Sequence, residues 1–140
     1  DALPISNTLI KKFEKSNLKF IVNKQFKFSK IYTDDIKLKQ ILINLLSNAV
    51  KFTNKGSISL EIIEKEGFLT FIVSDTGKGI LASNTSKIFS PGFSTKKRGW
   101  GLGLTLAKRI IENYHQGKLV LKSTEINKGS TFRITLPKPA

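Results

Sequence analysis

The chain has 140 residues, 39% of them apolar, and 24 Lys and Arg against ten Asp and Glu give it a formal charge of +14; a length of this order carries one core burying roughly two-thirds of the surface of the unfolded chain. With no cysteine and His115 as the sole histidine, a disulfide framework, a thiolate metal site and a histidine-built zinc centre are excluded. No stretch reaches the roughly 18 uninterrupted apolar residues of a membrane span, and Asp1 to Ile10 lacks the layout of a secretion signal, so the reading is a soluble, cytoplasmic piece with no membrane contact of its own.

After Pro4, Ile5, Leu9, Ile10 and Phe13 stand at near-helical spacing, which predicts a short helix over 5–15. Residues 1–17 then read as a joint to an upstream domain and 18–140 as one unit. Leu18 to Val22 is strand-like, and Lys27 to Tyr32 suggests a second short strand. From Asp34 a helix is expected to run to Phe52, capped by Asp34 or Asp35 and apolar through Ile36, Leu38, Ile41, Leu42, Leu45, Leu46, Ala49 and Val50. Two alternating runs, Ser57 to Glu64 and Phe68 to Ser74, form a hairpin across Glu66-Gly67. Asp75 to Arg98 has no sustained period and reads as a long loop with one helical turn near Ser86 to Phe89. A helix returns over Leu102 to Tyr114, with Leu104, Leu106, Ala107, Ile110 and Ile111 as its buried positions. Strands over Lys118 to Ser123 and Thr131 to Leu136 close the chain.

The positive charge calls for an anionic partner, and its distribution narrows the place. Thr76 to Ile111 contains no carboxylate but holds Lys78, Lys87, Lys96, Lys97, Arg98, Lys108 and Arg109 and six of the ten glycines. On the 35–52 helix, Lys37, Gln40, Asn44, Asn48 and Lys51 form a polar stripe. Its amide oxygens suit Mg²⁺ and Lys51 suits a phosphate, although a solvated helix face shows the same pattern. Asp75, at the end of a strand before Thr76-Gly77-Lys78-Gly79-Ile80, offers an acceptor for the exocyclic amine of adenine and repels the carbonyl of guanine; an Asx turn is the equal alternative. Gly77 to Ala82 fits a dinucleotide-binding pattern, but Ser83-Asn84-Thr85-Ser86 is poorly helical and no acidic residue stands about 20 positions later. Gly99-Trp100-Gly101-Leu102-Gly103-Leu104 opens a helix, so unpaired N–H groups would face an anion there, with Lys96, Lys97 and Arg98 adjacent; a flexible glycine hinge with solvated cations is the alternative. His115 stands at a helix end with no carboxylate to orient it and reads as a partner of the helix dipole.

Taken in order, these segments resemble the catalytic domain of sensor histidine kinases, in the superfamily that also holds type II topoisomerases, mismatch-repair ATPases and a chaperone family. Asn44 to Thr53 is similar to the N box, Asp75-Thr76-Gly77-Lys78-Gly79 to the first glycine box, Ile88 to Thr95 to the F box and Gly101-Leu102-Gly103-Leu104 to the second glycine box. Gly129-Ser130-Thr131-Phe132 precedes the last strand as in the family. Gly92, Ser90, Leu81 and Trp100 depart from common family residues.

The resemblance implies an α/β (α+β) two-layer sandwich in which a mixed, mostly antiparallel five-stranded sheet packs on about three helices beneath a long ATP lid. It further implies ATP and Mg²⁺ as cofactors. Asn48 with Asn44 would hold the metal, and Lys51 and Phe52 would touch phosphate and nucleotide. Asp75 with Gly77 and Gly79 would bind adenine; Ile80, Thr131, Lys96, Arg98, Gly101, Leu102, Gly103 and Leu104 would also contact the cofactor, and the F box and second glycine box would form the ATP lid. Family members that hydrolyse ATP carry Glu where Asn44 stands, so transfer to a histidine is expected over hydrolysis. That histidine would lie on a separate dimerisation domain of the same kinase, with a response regulator downstream. The isolated domain would be monomeric, the full-length protein a homodimer, and nucleic acid no partner. An ATPase or chaperone-type module and a basic nucleic-acid-binding domain are the rival readings.

Overall fold

Helix α1 (Asp35–Phe52) buries Ile41, Leu42, Leu45, Leu46 and Ala49 on one side, the i, i+1, i+4, i+5, i+8 stripe of a helix that lies on a sheet. A computed structural model describes residues 18–25, 35–53, 55–65, 67–90, 101–114 and 116–137. Beneath α1 lies a sheet of strands β1 (Leu18–Gln25), β2 (Gly56–Lys65), β3 (Phe68–Asp75), β4 (Lys118–Glu125) and β5 (Gly129–Pro137), ordered β1-β2-β3-β5-β4. The β2–β3, β3–β5 and β4–β5 pairs are antiparallel. β1 pairs with β2 in parallel, a pairing that needs a crossover connection, and α1 lies in the chain between the two strands. The architecture is an α/β sandwich.

Side chains alternate across the strands, so one face is apolar and the other open. Ile58, Leu60 and Ile62 of β2, Leu69, Phe71 and Val73 of β3, Leu119 of β4, and Phe132, Ile134 and Leu136 of β5 are buried on the helix side. Ser59, Ser74, Thr131 and Arg133 fall on the opposite parity. β4 shifts register by one residue between Leu121 and Ser123, a bulge that places Lys122 outside the ladder.

Helix α2 (Gly101–Arg109) packs against α1 and β4 and continues as a wider π-type turn over Ile110–Tyr114. It buries Leu104, Ala107 and Ile111. Leu106, expected among them, is instead 52% exposed. It lies about 200° around the helix from Leu104, on the far side from the core. A 3₁₀ turn over Ala82–Asn84 precedes the turn expected at Ser86 to Phe89, where the Lys87 N–H donates to the Asn84 carbonyl at 2.8 Å and the Ser90 N–H to the Lys87 carbonyl at 2.9 Å. Ile88 beyond it enters the core, and Phe89 packs edge-on to Phe132 at 6.3 Å. Thr105 of α2 donates to the Phe89 carbonyl at 3.0 Å, and the Lys108 ammonium, paired with Glu112 at 2.8 Å, sits 4.9 Å from the Phe89 ring centre. The segment before the second glycine cluster is thereby fastened to the helix after it.

The expected helix over 5–15, the short strand over 27–32 and most of the expected lid lie outside the described residues, as do Lys96, Arg98, Trp100 and His115. Among the described residues no helix is long and apolar enough to cross a membrane.

Candidate functional site

The alternation that builds the core also aims the one carboxylate of interest. Asp75 is the last residue of β3 and pairs with buried Ile58, so its side chain lies on the helix side of the sheet. Its Oδ1 accepts the Gly77 N–H at 2.9 Å and the Ser130 N–H at 3.3 Å. Oδ2 has no hydrogen bond among the described residues. The Asx-type turn and the ligand acceptor, alternatives in the sequence, are therefore available together: one oxygen closes the turn and the other remains free.

Burial raises the Asp75 pKa above its ordinary value of 3.8, against the lowering effect of the Gly77 and Ser130 N–H groups. A carboxyl whose folded pKa is raised contributes stability that is full below the unfolded pKa and is lost as pH rises through the folded one. Relative to wild type, Asp75→Asn should therefore gain thermal stability as pH rises through the weakly acid range, and the gain should level off once Asp75 is ionised. Paired melts across that range measure it; a difference between the two proteins that does not change with pH would contradict the sign.

Ser130 is buried next to this carboxylate, and its Oγ lies 2.8 Å from the Thr124 Oγ1. Thr131, expected among the cofactor-binding residues, is on the open face, where its hydroxyl pairs with Ser74 at 3.0 Å. This placement follows from strand parity: Phe132, Ile134 and Leu136 face the core, so even-numbered positions of β5 point inward and Thr131 outward. That alternation was readable in the sequence and identifies Ser130.

On α1, Asn48 is only 7% exposed, and its Nδ2 has no partner among the described residues. An unsatisfied buried amide costs about 1–3 kcal/mol, which a bound water or ligand would relieve. Asn44, one turn earlier, is half-buried and already engaged in a contact of its own. Among the described residues no cluster of three His, Cys, Asp or Glu could hold a metal. Neutral amides with few protein ligands fit Mg²⁺ that keeps waters and phosphate oxygens. Lys51 and Phe52 end α1. Gly101, Leu102 and Gly103 form the first turn of α2, whose leading N–H groups have no intrahelical acceptor. Leu104 is fully buried in the core, so its side chain is structural and only its backbone is available to a ligand. Gly77 and Gly79 lie in the loop after Asp75, and Ile80 packs against the core while its N–H donates to Thr124 Oγ1 at 2.9 Å. Thr124 carried no signal in the sequence.

Residues 33–140 match the model of the family described as "Histidine kinase-, DNA gyrase B-, and HSP90-like ATPase". The chain belongs to this family. Among members, it is 41% identical over 119 residues to the Autoinducer 2 sensor kinase/phosphatase LuxQ of Vibrio vulnificus (strain CMCP6), covering 76% of this chain and 14% of that protein. The family's catalytic domain of histidine kinase ThkA superposes with TM-score 0.85 at 32% identity, over 97% of this chain and 89% of that one. ThkA in complex with the response regulator TrrA aligns at TM-score 0.82 and 28% identity, over 98% and 39% of the two chains. ShkA in complex with AMPPNP aligns at TM-score 0.83 and 25% identity, over 99% and 30%. The chain thus spans a small part of the curated family member and nearly all of a solved catalytic domain.

Proposed function

We propose that this domain binds Mg²⁺-ATP and presents the γ-phosphoryl group to a histidine on a separate dimerisation domain of the same kinase, for relay to a response regulator. The observation that carries the reading is Asp75, held by two backbone N–H groups through Oδ1 with Oδ2 left to accept. An ionised acceptor takes the exocyclic amine of adenine and repels the guanine carbonyl. Asn48 supplies a buried amide toward the metal with Asn44 beside it, and Lys51 supplies a point charge to phosphate. The start of α2 at Gly101 to Gly103 offers unpaired N–H groups and the positive end of the helix dipole, with Lys96 and Arg98 preceding it in the chain. Mg²⁺ held there would supply charge neutralisation to the phosphates.

Asn44 has no proton-accepting carboxylate, so the domain lacks a general base for water at that place. The nucleophile is then an imidazole nitrogen from outside: it forms a bond to the γ-phosphorus as the bond to the β–γ bridging oxygen breaks, and ADP leaves with the electron pair. The complexes of ThkA with a response regulator and of ShkA with AMPPNP support this reading. The oligomeric state proposed is a monomer for this domain and a dimer through the upstream one. The test combines the domain, Mg²⁺, γ-labelled ATP and the separately purified dimerisation domain of the same kinase. Acid-labile, base-stable label on that second domain is expected; steady release of inorganic phosphate with no label there would favour the hydrolytic reading instead.

A further inference from the structure

The turn between β4 and β5 grips the loop that follows Asp75. The Asn127 N–H donates to the Lys78 carbonyl at 2.9 Å, and the Ile80 N–H donates to Thr124 Oγ1 at 2.9 Å. Between these two bonds, Gly79 has φ +76, and a β-carbon there would run into the Glu125 carbonyl. Thr124 also meets Ser130 Oγ at 2.8 Å and the Gly129 carbonyl at 3.3 Å. Because the Ser130 N–H donates to Asp75 Oδ1, and the same oxygen takes the Gly77 N–H, a closed circuit runs Asp75, Gly77, Ile80, Thr124, Ser130 and back to Asp75.

From this circuit we infer that Thr124 is a positioning residue for purine selection, acting through Ser130 and the Gly77–Ile80 backbone without touching the nucleotide. The inference rests on Asp75 as the base-reading group. Proton counting gives the mechanism. A threonine hydroxyl has one proton and two lone pairs, and one lone pair is committed to the Ile80 N–H. The Gly129 carbonyl can only accept, so the Thr124 proton goes either to it or to Ser130 Oγ. The Ser130 contact, at 2.8 Å against 3.3 Å to the carbonyl, is the shorter, which favours donation to Ser130. Ser130 then keeps its own proton for an acceptor. Beside the free oxygen of Asp75 this makes an acceptor next to a donor, the complement of the adenine edge, which carries an amine donor beside a ring-nitrogen acceptor. Guanine presents a carbonyl beside a protonated ring nitrogen and meets the reverse pattern.

The test compares wild type with Thr124→Val, Thr124→Ser, Ser130→Ala and Asp75→Asn, measuring displacement of a fluorescent adenine nucleotide by ATP and by GTP, together with a thermal midpoint for each protein. Thr124→Val is expected to weaken ATP about tenfold, equal to about 1.4 kcal/mol, and to narrow the ATP-over-GTP ratio, while Thr124→Ser stays within about twofold of wild type because it retains the hydroxyl. Ser130→Ala keeps the Ile80 bond and should narrow the ratio on its own, which preserves the test if Thr124→Val does not fold. A ratio unchanged in Ser130→Ala, or unchanged in a folded Thr124→Val, overturns the inference. Wild-type affinity in Asp75→Asn would instead overturn the purine reading beneath it, whatever the Thr124 variants do.

Discussion

Replacing Asp75 by Asn is expected to weaken ATP binding by about 100-fold or more, about 2.7 kcal/mol, with the fold retained. The two effects separate because the two oxygens have different tasks. An Asn Oδ1 still accepts the Gly77 and Ser130 N–H groups, so the turn at the end of β3 survives. At the other position an amide presents N–H donors to an amine donor, replacing a charge-assisted bond with two groups that cannot pair. Titration with a fluorescent adenine nucleotide, with and without Mg²⁺, measures the affinity, and far-UV circular dichroism reports the fold. Equal affinity of the two proteins would remove the carboxylate from base recognition. Thermal stability should move the other way at neutral pH, since the variant no longer holds a half-buried ionised group whose pKa burial raises.

Gly129→Ala is expected to be the most destabilising single change near the site, at about 3 kcal/mol or more from backbone strain together with steric overlap. Gly129 opens β5 at φ +119, in the region that L-residues rarely occupy, and an added β-carbon would collide with the Asp75 carbonyl oxygen and press on the Thr76 Cα. Both obstacles are backbone, which cannot swing aside as a side chain can. For a domain of this size such a loss lowers the thermal midpoint by roughly 10 °C. A midpoint within about 2 °C of wild type, a shift worth less than 1 kcal/mol, would show that the β3 and β5 ends are not in the close contact described. The nucleotide affinity of any folded fraction should fall too, because the Ser130 N–H moves with the strand.

Much of this arrangement was legible in the residues, and the failures have specific causes. The 35–52 helix and the hairpin after it follow from periods of 3.6 and 2 carried over many residues, and both stand close to the expected places. Leu106 was misplaced because the run 102–114 carries more apolar residues than one helix face can bury; the set Leu104, Ala107 and Ile111 satisfies the core without it. β5 begins at Gly129 instead of Thr131, and reading the alternation back from Phe132 through that earlier start puts Ser130 on the Asp75 side of the sheet. Thr124 could not be found in this way. Its bond to Ile80 links positions 44 residues apart, and nothing local distinguishes that threonine from its neighbours. The order of the four boxes led to Asp75 and Asn48, which the fold sets on the helix side and in a buried position, respectively.

The last strand in the sheet order has a consequence for how the domain behaves in company. Among the described residues β4 is an edge, with one side of its backbone paired to β5 and the other without a strand. An uninterrupted edge of this kind templates a strand from another molecule and so seeds aggregation. Here the register shift between Leu121 and Ser123 breaks the ladder midway, and exposed Lys118 and Lys122 bring like charges together whenever two such edges approach. Part of the large positive charge therefore keeps neighbouring copies of the sheet from joining.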